Sequence, residues 1–140
     1  MNTDKIAILV KKAALEFDKI ANPELANYDL TASQYKVLKF LYYQPQRTAR
    51  VVDIERYYSM THPTTIGLLD TLEAKGFITR VPNPDDARSR LILLTEQADE
   101  MQKELEKIGD SLEAMFTTSL SDAESKELAK LLRKLLNIDA

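Results

Sequence analysis

Pro82, Asn83, Pro84, Asp85, Asp86, Ala87, Arg88, Ser89, Arg90, followed by Leu91, Ile92, Leu93, Leu94, is the stretch on which the reading of the whole chain turns. Its first five residues concentrate turn chemistry: proline presets φ, and Asn and Asp side chains bond their own backbone. Before it, Phe77, Ile78, Thr79, Arg80 and Val81 read as a strand, and Arg90 to Leu94 read as the returning one. The Pro82 to Ser89 segment is then the turn of a β-hairpin. It carries Arg88 and abuts Arg90, two cations placed where an anionic partner can reach them.

Working back from the hairpin, three short helices are expected. Thr31 and Gln34 have the spacing of a capping box and open a helix whose face is Tyr35, Leu38, Leu41 and Tyr42, stopping near Gln44 and Pro45. Residues 46–50 read as a polar, basic loop. Val51, Val52, Ile54, Tyr57 and Tyr58 make a short helix, and Ser59, Met60 and Thr61 a tight turn. Thr61 caps the next helix, with Pro63 tolerated because first-turn N–H groups have no intrahelical partner. That helix runs to Lys75 and ends at Gly76, the residue best able to turn left-handed. Ile66, Leu69 and Leu72 form its buried face with Leu68 at the margin, so Thr64, Thr65, Gly67 and Asp70 are expected to point away from the core. Two helices joined by a tight turn and followed directly by a hairpin make a winged helix-turn-helix.

Long amphipathic helices flank this lobe. Ile6, Leu9, Val10, Ala13, Phe17, Ile20 and Ala21 recur at helical spacing until Asn22 and Pro23, which are expected to end the first helix. After Thr95, the positions Ala98, Met101, Leu105, Ile108, Leu112, Met115 and Phe116 sustain a stripe over about 24 residues, roughly 36 Å. Gly109 is a weak point in it. Ser121 and Glu124 form another capping box, opening a helix with Leu128, Leu131, Leu132, Leu135 and Leu136 on one face. These stripes extend past the compact middle and need a partner surface. A second copy of the chain supplies one; packing of the first, fifth and sixth helices on one another is the alternative. The fold class is thus mainly α with a small β-hairpin wing, one domain of 140 residues in which 30–95 form the lobe and 1–22 with 96–140 the helical dimerisation region.

Composition removes whole classes of chemistry. The chain has no cysteine and a single histidine, His62, which leaves no disulfide, thiolate metal site or ordinary nitrogen and sulfur ligand set, and no cofactor is expected. Covalent or acid-base catalysis needs a nucleophile with a matched partner; adjacent Asp85 and Asp86 in a turn point in opposed directions, and an enzyme is not expected. No apolar run spans a bilayer, and Met1, Asn2, Thr3, Asp4 lack the basic and apolar regions of a signal peptide, so a cytoplasmic protein without membrane contact is expected. The net charge of -3 opposes a polyanion only in sum. Residues 31–94 hold nine Lys and Arg against six Asp and Glu, whereas the flanks hold ten against sixteen. The basic excess belongs to the lobe.

A basic winged helix-turn-helix points to double-stranded DNA. The second helix of such a unit enters the major groove through its first exposed side chains, here His62, Thr64 and Thr65, while Pro63 or a threonine methyl can meet a thymine methyl. Thr61, Pro63 and Thr64 equally suit a helix start without any DNA role. Arg80, Arg90 and Arg50 are phosphate candidates, or braces of the hairpin in the case of the first two. Arg88 suits a narrow minor groove, where negative potential concentrates. A winged-helix module that takes a protein on the same surface is the competing reading.

In order and spacing, Leu30, Thr31, Gln34, then Leu72, Glu73, Lys75, Gly76, Phe77, Ile78, Arg80, then Asp85, Asp86, Arg88, Ser89, Leu93, Leu94 and Thr95 resemble the MarR family of transcription regulators. The resemblance implies a homodimer held by the first and last helices, each subunit presenting its wing and recognition helix to half of a pseudopalindromic site. It implies repression, with release of DNA by a small ligand in many members. Asp86 and Arg88 match the family's Asp-x-Arg motif, in which the aspartate orients an arginine in the minor groove, and Ser89 stands beside them. Gly67 departs from the pattern, where a longer polar side chain is common. Related proteins hold an effector between the lobe and the dimer helices; Tyr42, Tyr43, Tyr57 and Tyr58 could meet an aromatic or phenolic ligand there, or serve only as core and rim residues.

Overall fold

Four hydroxyl side chains start four of the helices. Thr31 accepts the N–H of Gln34, Thr61 that of Thr64, Thr95 that of Ala98 and Ser121 that of Glu124, at 3.1–3.3 Å. The expected capping boxes at Thr31 and Ser121 are both complete, the Gln34 and Glu124 side chains returning to the cap N–H groups. In a computed structural model describing residues 5–138, these signals frame α1 (Ile6–Leu25), α2 (Ala32–Tyr42), β1 (Thr48–Arg50), α3 (Val51–Tyr58), α4 (His62–Ala74), β2 (Ile78–Asn83), β3 (Asp86–Leu94), α5 (Glu96–Phe116) and α6 (Asp122–Leu135). Met1, Asn2, Thr3 and Asp4, read above for a signal peptide, lie outside the described residues. No helix among the described residues is long and apolar enough to cross a membrane.

Three boundaries differ from expectation. Asn22 and Pro23 do not end α1, which continues to Leu25. Pro23 falls in the last turn, where it costs the helix the one bond from position 23 to the Lys19 carbonyl, and the Asn22 side chain accepts the Ala32 N–H at 2.8 Å, tying α1 to the start of α2. Within the segment expected as a loop at 46–50, Thr48–Arg50 form β1, paired antiparallel with Leu91–Leu93, so that the sheet has three strands in the order β1-β3-β2. The hairpin is longer than its local sequence indicates: β2 reaches Asn83 and β3 begins at Asp86, leaving only Pro84 and Asp85 between them.

α4 closes as anticipated at Gly76, whose φ of 86° is left-handed. The Phe77 N–H reaches the Leu72 carbonyl at 2.9 Å and the Gly76 N–H that of Glu73 at 3.0 Å, the paired bonds of a Schellman motif. Phe77 and Leu72 are both buried, completing its apolar contact.

One core unites α2, Ile54, Leu69, Leu72, Phe77, Ile78 and Ile92 with Ala98, Leu105 and Leu112 of α5. α1 reaches it only through its C-terminal half, where Ala21 and Leu25 are buried and Phe17 meets Phe116 edge-on at 5.4 Å. Packing within one chain therefore covers part of the flanking helices and stops. Ile6, Leu9 and Leu15 of α1 are exposed, α6 buries no residue, and its stripe stands in solvent with Leu131 at 51% and Leu135 at 60% exposure. The apolar faces of α1 and α6 thus lack a cover in the single chain among the described residues.

Candidate nucleic-acid interface

α3 and α4 meet at Ser59, which takes a left-handed φ of 54°, and the β2–β3 hairpin returns beside them. One open cleft results. Arg50, His62, Arg80, Asp86, Arg88, Ser89 and Arg90, all singled out from sequence, border it, together with Val51, Val52, Glu55 and Ile66.

The start of α4 divides its candidates. His62, Pro63 and Thr64 are exposed on the first turn, and Thr61 is exposed but engaged as the cap, also donating its hydroxyl to Thr64 Oγ1 at 3.0 Å. Thr65 is a correction: it is 0% exposed and donates its hydroxyl to the Thr61 carbonyl at 2.9 Å. It lies on the same face as Leu69 and Leu72, so its hydroxyl is satisfied inside the helix and offers nothing to a ligand. Ile66, expected in the core, is half-buried and borders the cleft. Gly67 has nothing within 4 Å of the position a Cβ would occupy.

The arginines are not equivalent. Arg80 donates to Asp70 Oδ1 and Glu73 Oε1 at 2.7 Å each through Nη2, with its side chain 19% exposed. It braces the hairpin against α4, as one of its two sequence readings held, and its charge is consumed by two carboxylates. That hydrogen bonding holds the Glu73 carboxyl below its ordinary value. Arg50 is held by Asp53, which accepts from its Nη2 and its backbone N–H at 2.9 Å each. The Asp53 carboxyl is lowered, first by the side-chain bond from Arg50. Among the described residues, the guanidinium groups of Arg88 and Arg90 make no hydrogen bond or ion pair. The uncommitted cations of the cleft are therefore on the wing.

The wing tip is built by short polar side chains. Pro82 lies opposite Arg90 whereas Asn83 lies opposite Asp86, so Ala87, Arg88 and Ser89 bulge out of the ladder. Asn83 accepts the Asp85 N–H at 3.0 Å and donates to Ser89 Oγ at 2.9 Å, and Asp86 accepts the Arg88 N–H at 3.0 Å. Asp86 thus orients Arg88 through its main chain and forms no ion pair with its guanidinium. Ser89 is half-buried and occupied within the bulge.

The four tyrosines have structural occupations. Tyr42 is buried and donates to the Ala98 carbonyl, its hydroxyl pushed up to about 12 chiefly by burial. Tyr58 donates to the Lys36 carbonyl at 2.6 Å and is likewise raised by burial. Tyr43 and Tyr57 are exposed, the first bonded to Glu106 at 2.6 Å and the second packed on Phe40 and Tyr58 at 5.0 and 4.8 Å. None of them borders the cleft. No group of three or more His, Asp or Glu among the described residues is arranged to hold a metal.

Glu55, Asn83 and the apolar floor of Val51, Val52 and Ile66 were not anticipated as site residues. Asn83 was legible as a turn former, but the role of Glu55 depends on the relative placement of α3 and α4, for which no local signal exists.

A MarR family model matches residues 30–89, from the end of the α1–α2 connection to the wing. The multiple antibiotic resistance protein MarR of Escherichia coli is 31% identical over 120 residues, spanning 85% of this chain and 82% of that protein. Among solved structures, a mutant MarR from E. coli in complex with operator DNA superimposes with a TM-score of 0.81 at 29% identity, covering 91% of each chain. An S. aureus MepR–DNA complex gives 0.82 at 28% identity, covering 96% of this chain and 98% of that one. With the helix pair, the braced hairpin and the flanking helices all in place, the chain belongs to the MarR family of transcription regulators.

Proposed function

We propose that this chain represses transcription by binding a pseudopalindromic site in double-stranded DNA as a homodimer, with His62, Pro63 and Thr64 in the major groove and Arg88 in the adjacent minor groove. The observation that carries this reading is the pairing of an exposed α4 first turn with unneutralised Arg88 and Arg90 on the wing beside it. Residues 30–95 act as the DNA-binding lobe in one domain. The exposed faces of α1 and α6 supply the dimer contact, and a cytoplasmic location belongs to the same proposal. The likeness to regulators solved on DNA supports it. Recognition helices entering successive major grooves place half-sites about one helical turn apart, roughly 34–36 Å. A small aromatic or phenolic effector that releases DNA could reach the rings of Tyr43 and Tyr57, which are exposed although bonded or packed, more readily than those of Tyr42 and Tyr58; it must favour the spacing of the two lobes that does not fit DNA.

Titration of a duplex selected from a random-sequence pool, repeated across salt concentrations, tests the proposal. Phosphate neutralisation produces a linear fall of log affinity with log salt, about 0.9 per phosphate neutralised. Absence of any selected sequence, or affinity indifferent to salt, overturns it.

A further inference from the structure

We propose that Glu55 is a positioning residue for base reading: it holds the His62 imidazole with the proton on Nδ1, so that Nε2 faces DNA as an acceptor and selects a base bearing a major-groove amino group, adenine or cytosine. The inference rests on the DNA-binding reading above and assigns a chemistry to one contact within it.

His62 is the first residue of α4, and its Nδ1 lies 2.7 Å from Glu55 Oε2 on α3. A carboxylate can only accept, so Nδ1 is the donor of that bond and Nε2 is left without a proton on the neutral ring. The two partners are unequally exposed: His62 is 68% exposed and Glu55 19%. The inner group anchors and the outer one is presented.

The charges around the pair leave Glu55 to His62. Arg50 is bonded to Asp53, and Arg80 to Asp70 and Glu73. Asp86 accepts from the Arg88 backbone, and Arg88 and Arg90 lie on the wing across the cleft. A carboxylate open to the DNA would repel phosphates. Turned inward to the imidazole, it is withdrawn from them and determines which ring nitrogen carries the proton.

The consequence is a choice between bases. In the major groove adenine N6 and cytosine N4 are donors, whereas guanine N7 and O6 and thymine O4 accept. An unprotonated Nε2 pairs with the first two. An untethered ring exchanges its proton between nitrogens and turns about its Cβ–Cγ bond, meeting either kind of edge and discriminating poorly.

Selection from a random-sequence duplex library with the intact wild-type protein should enrich one base pair, in one orientation, at one position of each half-site, and replacing the N6 amino group of its adenine or the N4 amino group of its cytosine by hydrogen should lower affinity about tenfold. Glu55→Ala and His62→Ala should each lower that preference about tenfold while leaving other positions and the salt slope unchanged. Because His62 is the sole histidine, long-range 15N–1H correlation of the free protein reads its ring alone. It should show Nδ1 protonated in wild type and the Nε2-protonated form gaining in Glu55→Ala. If Glu55→Ala does not fold, Glu55→Gln, whose amide can accept or donate, should reduce the preference without abolishing it. Affinity indifferent to loss of that amino group, a wild-type ring with the proton on Nε2, or an undiminished preference in the folded Glu55 variant overturns the inference with DNA binding intact. Failure of the wild type to enrich any sequence overturns the DNA reading itself.

Discussion

Gly109 sits in the middle of α5 with the Tyr35 hydroxyl so close that an added Cβ would collide with it. Tyr35 is buried in α2, so the contact is a site where the lobe rests directly on the backbone of the long helix. Sequence marks Gly109 as a weakness because glycine costs about 1 kcal/mol against alanine in a helix; the neighbour that requires it is 74 positions away and invisible locally. Gly109→Ala should therefore destabilise by about 1–3 kcal/mol despite its better helix propensity. Tyr35→Phe should relieve most of this in the double variant, a coupling that urea midpoints of the four proteins would measure. Arg88 is the opposite case, a residue whose guanidinium no side chain among the described residues claims. Arg88→Ala should weaken duplex binding at least severalfold with dimerisation unchanged; superimposable titration curves would show that the wing arginine carries no binding energy.

At the scale of elements, Arg80 braces a hairpin that is also held by the core packing of Ile78 and Ile92 and by the pairing of β3 with β1. The bonds of Arg80 to Asp70 and Glu73 join β2 to α4 and hold the Glu73 carboxyl below its ordinary value. The folded chain binds that proton less readily than the unfolded one. The stabilisation is then fully present above the unfolded value of about 4.3 and is lost as pH falls through the lower folded value. Arg80→Ala removes the cause, so its loss of stability between about pH 6 and about pH 3 should be smaller than that of wild type, as chemical denaturation at each pH would reveal. Equal losses would place the acid sensitivity elsewhere. The turn chemistry of Pro82 to Asp86 was readable, whereas β1 was not. Three residues, Thr48–Arg50, carry no usable alternation, and their pairing with Leu91–Leu93 closes over some forty intervening positions.

For the molecule as a whole, the polarity of the chain organises function. The acidic flanks and uncovered leucines gather in the helical region, while the basic excess lies in the lobe. Each leucine side chain moved from water into an interface contributes roughly 1.5–3 kcal/mol, so the α6 stripe is sufficient to drive association once α1 of a second copy contributes. Leu131→Glu should shift sedimentation from dimer to monomer at micromolar concentration and lower operator affinity at least tenfold, because the two half-sites are then bound independently. A dimer that survives this substitution would direct attention to α1 alone.

The sequence by itself determined the caps at Thr31, Thr61, Thr95 and Ser121, the left-handed close at Gly76, the apolar stripes, the two-arginine wing and the family likeness. All of these arise from interactions within a turn or two of the chain, or from spacing. Tertiary structure alone decided that Thr65 is core, that Arg80 is a brace and Arg88 is free, that Gly109 receives Tyr35, and that Glu55 faces His62. Each of these depends on which side chains meet when α3, α4, α5 and the hairpin pack together. Burial and charge pairing belong to that packing rather than to any one segment, and they separate the arginines that hold the wing from those available to DNA.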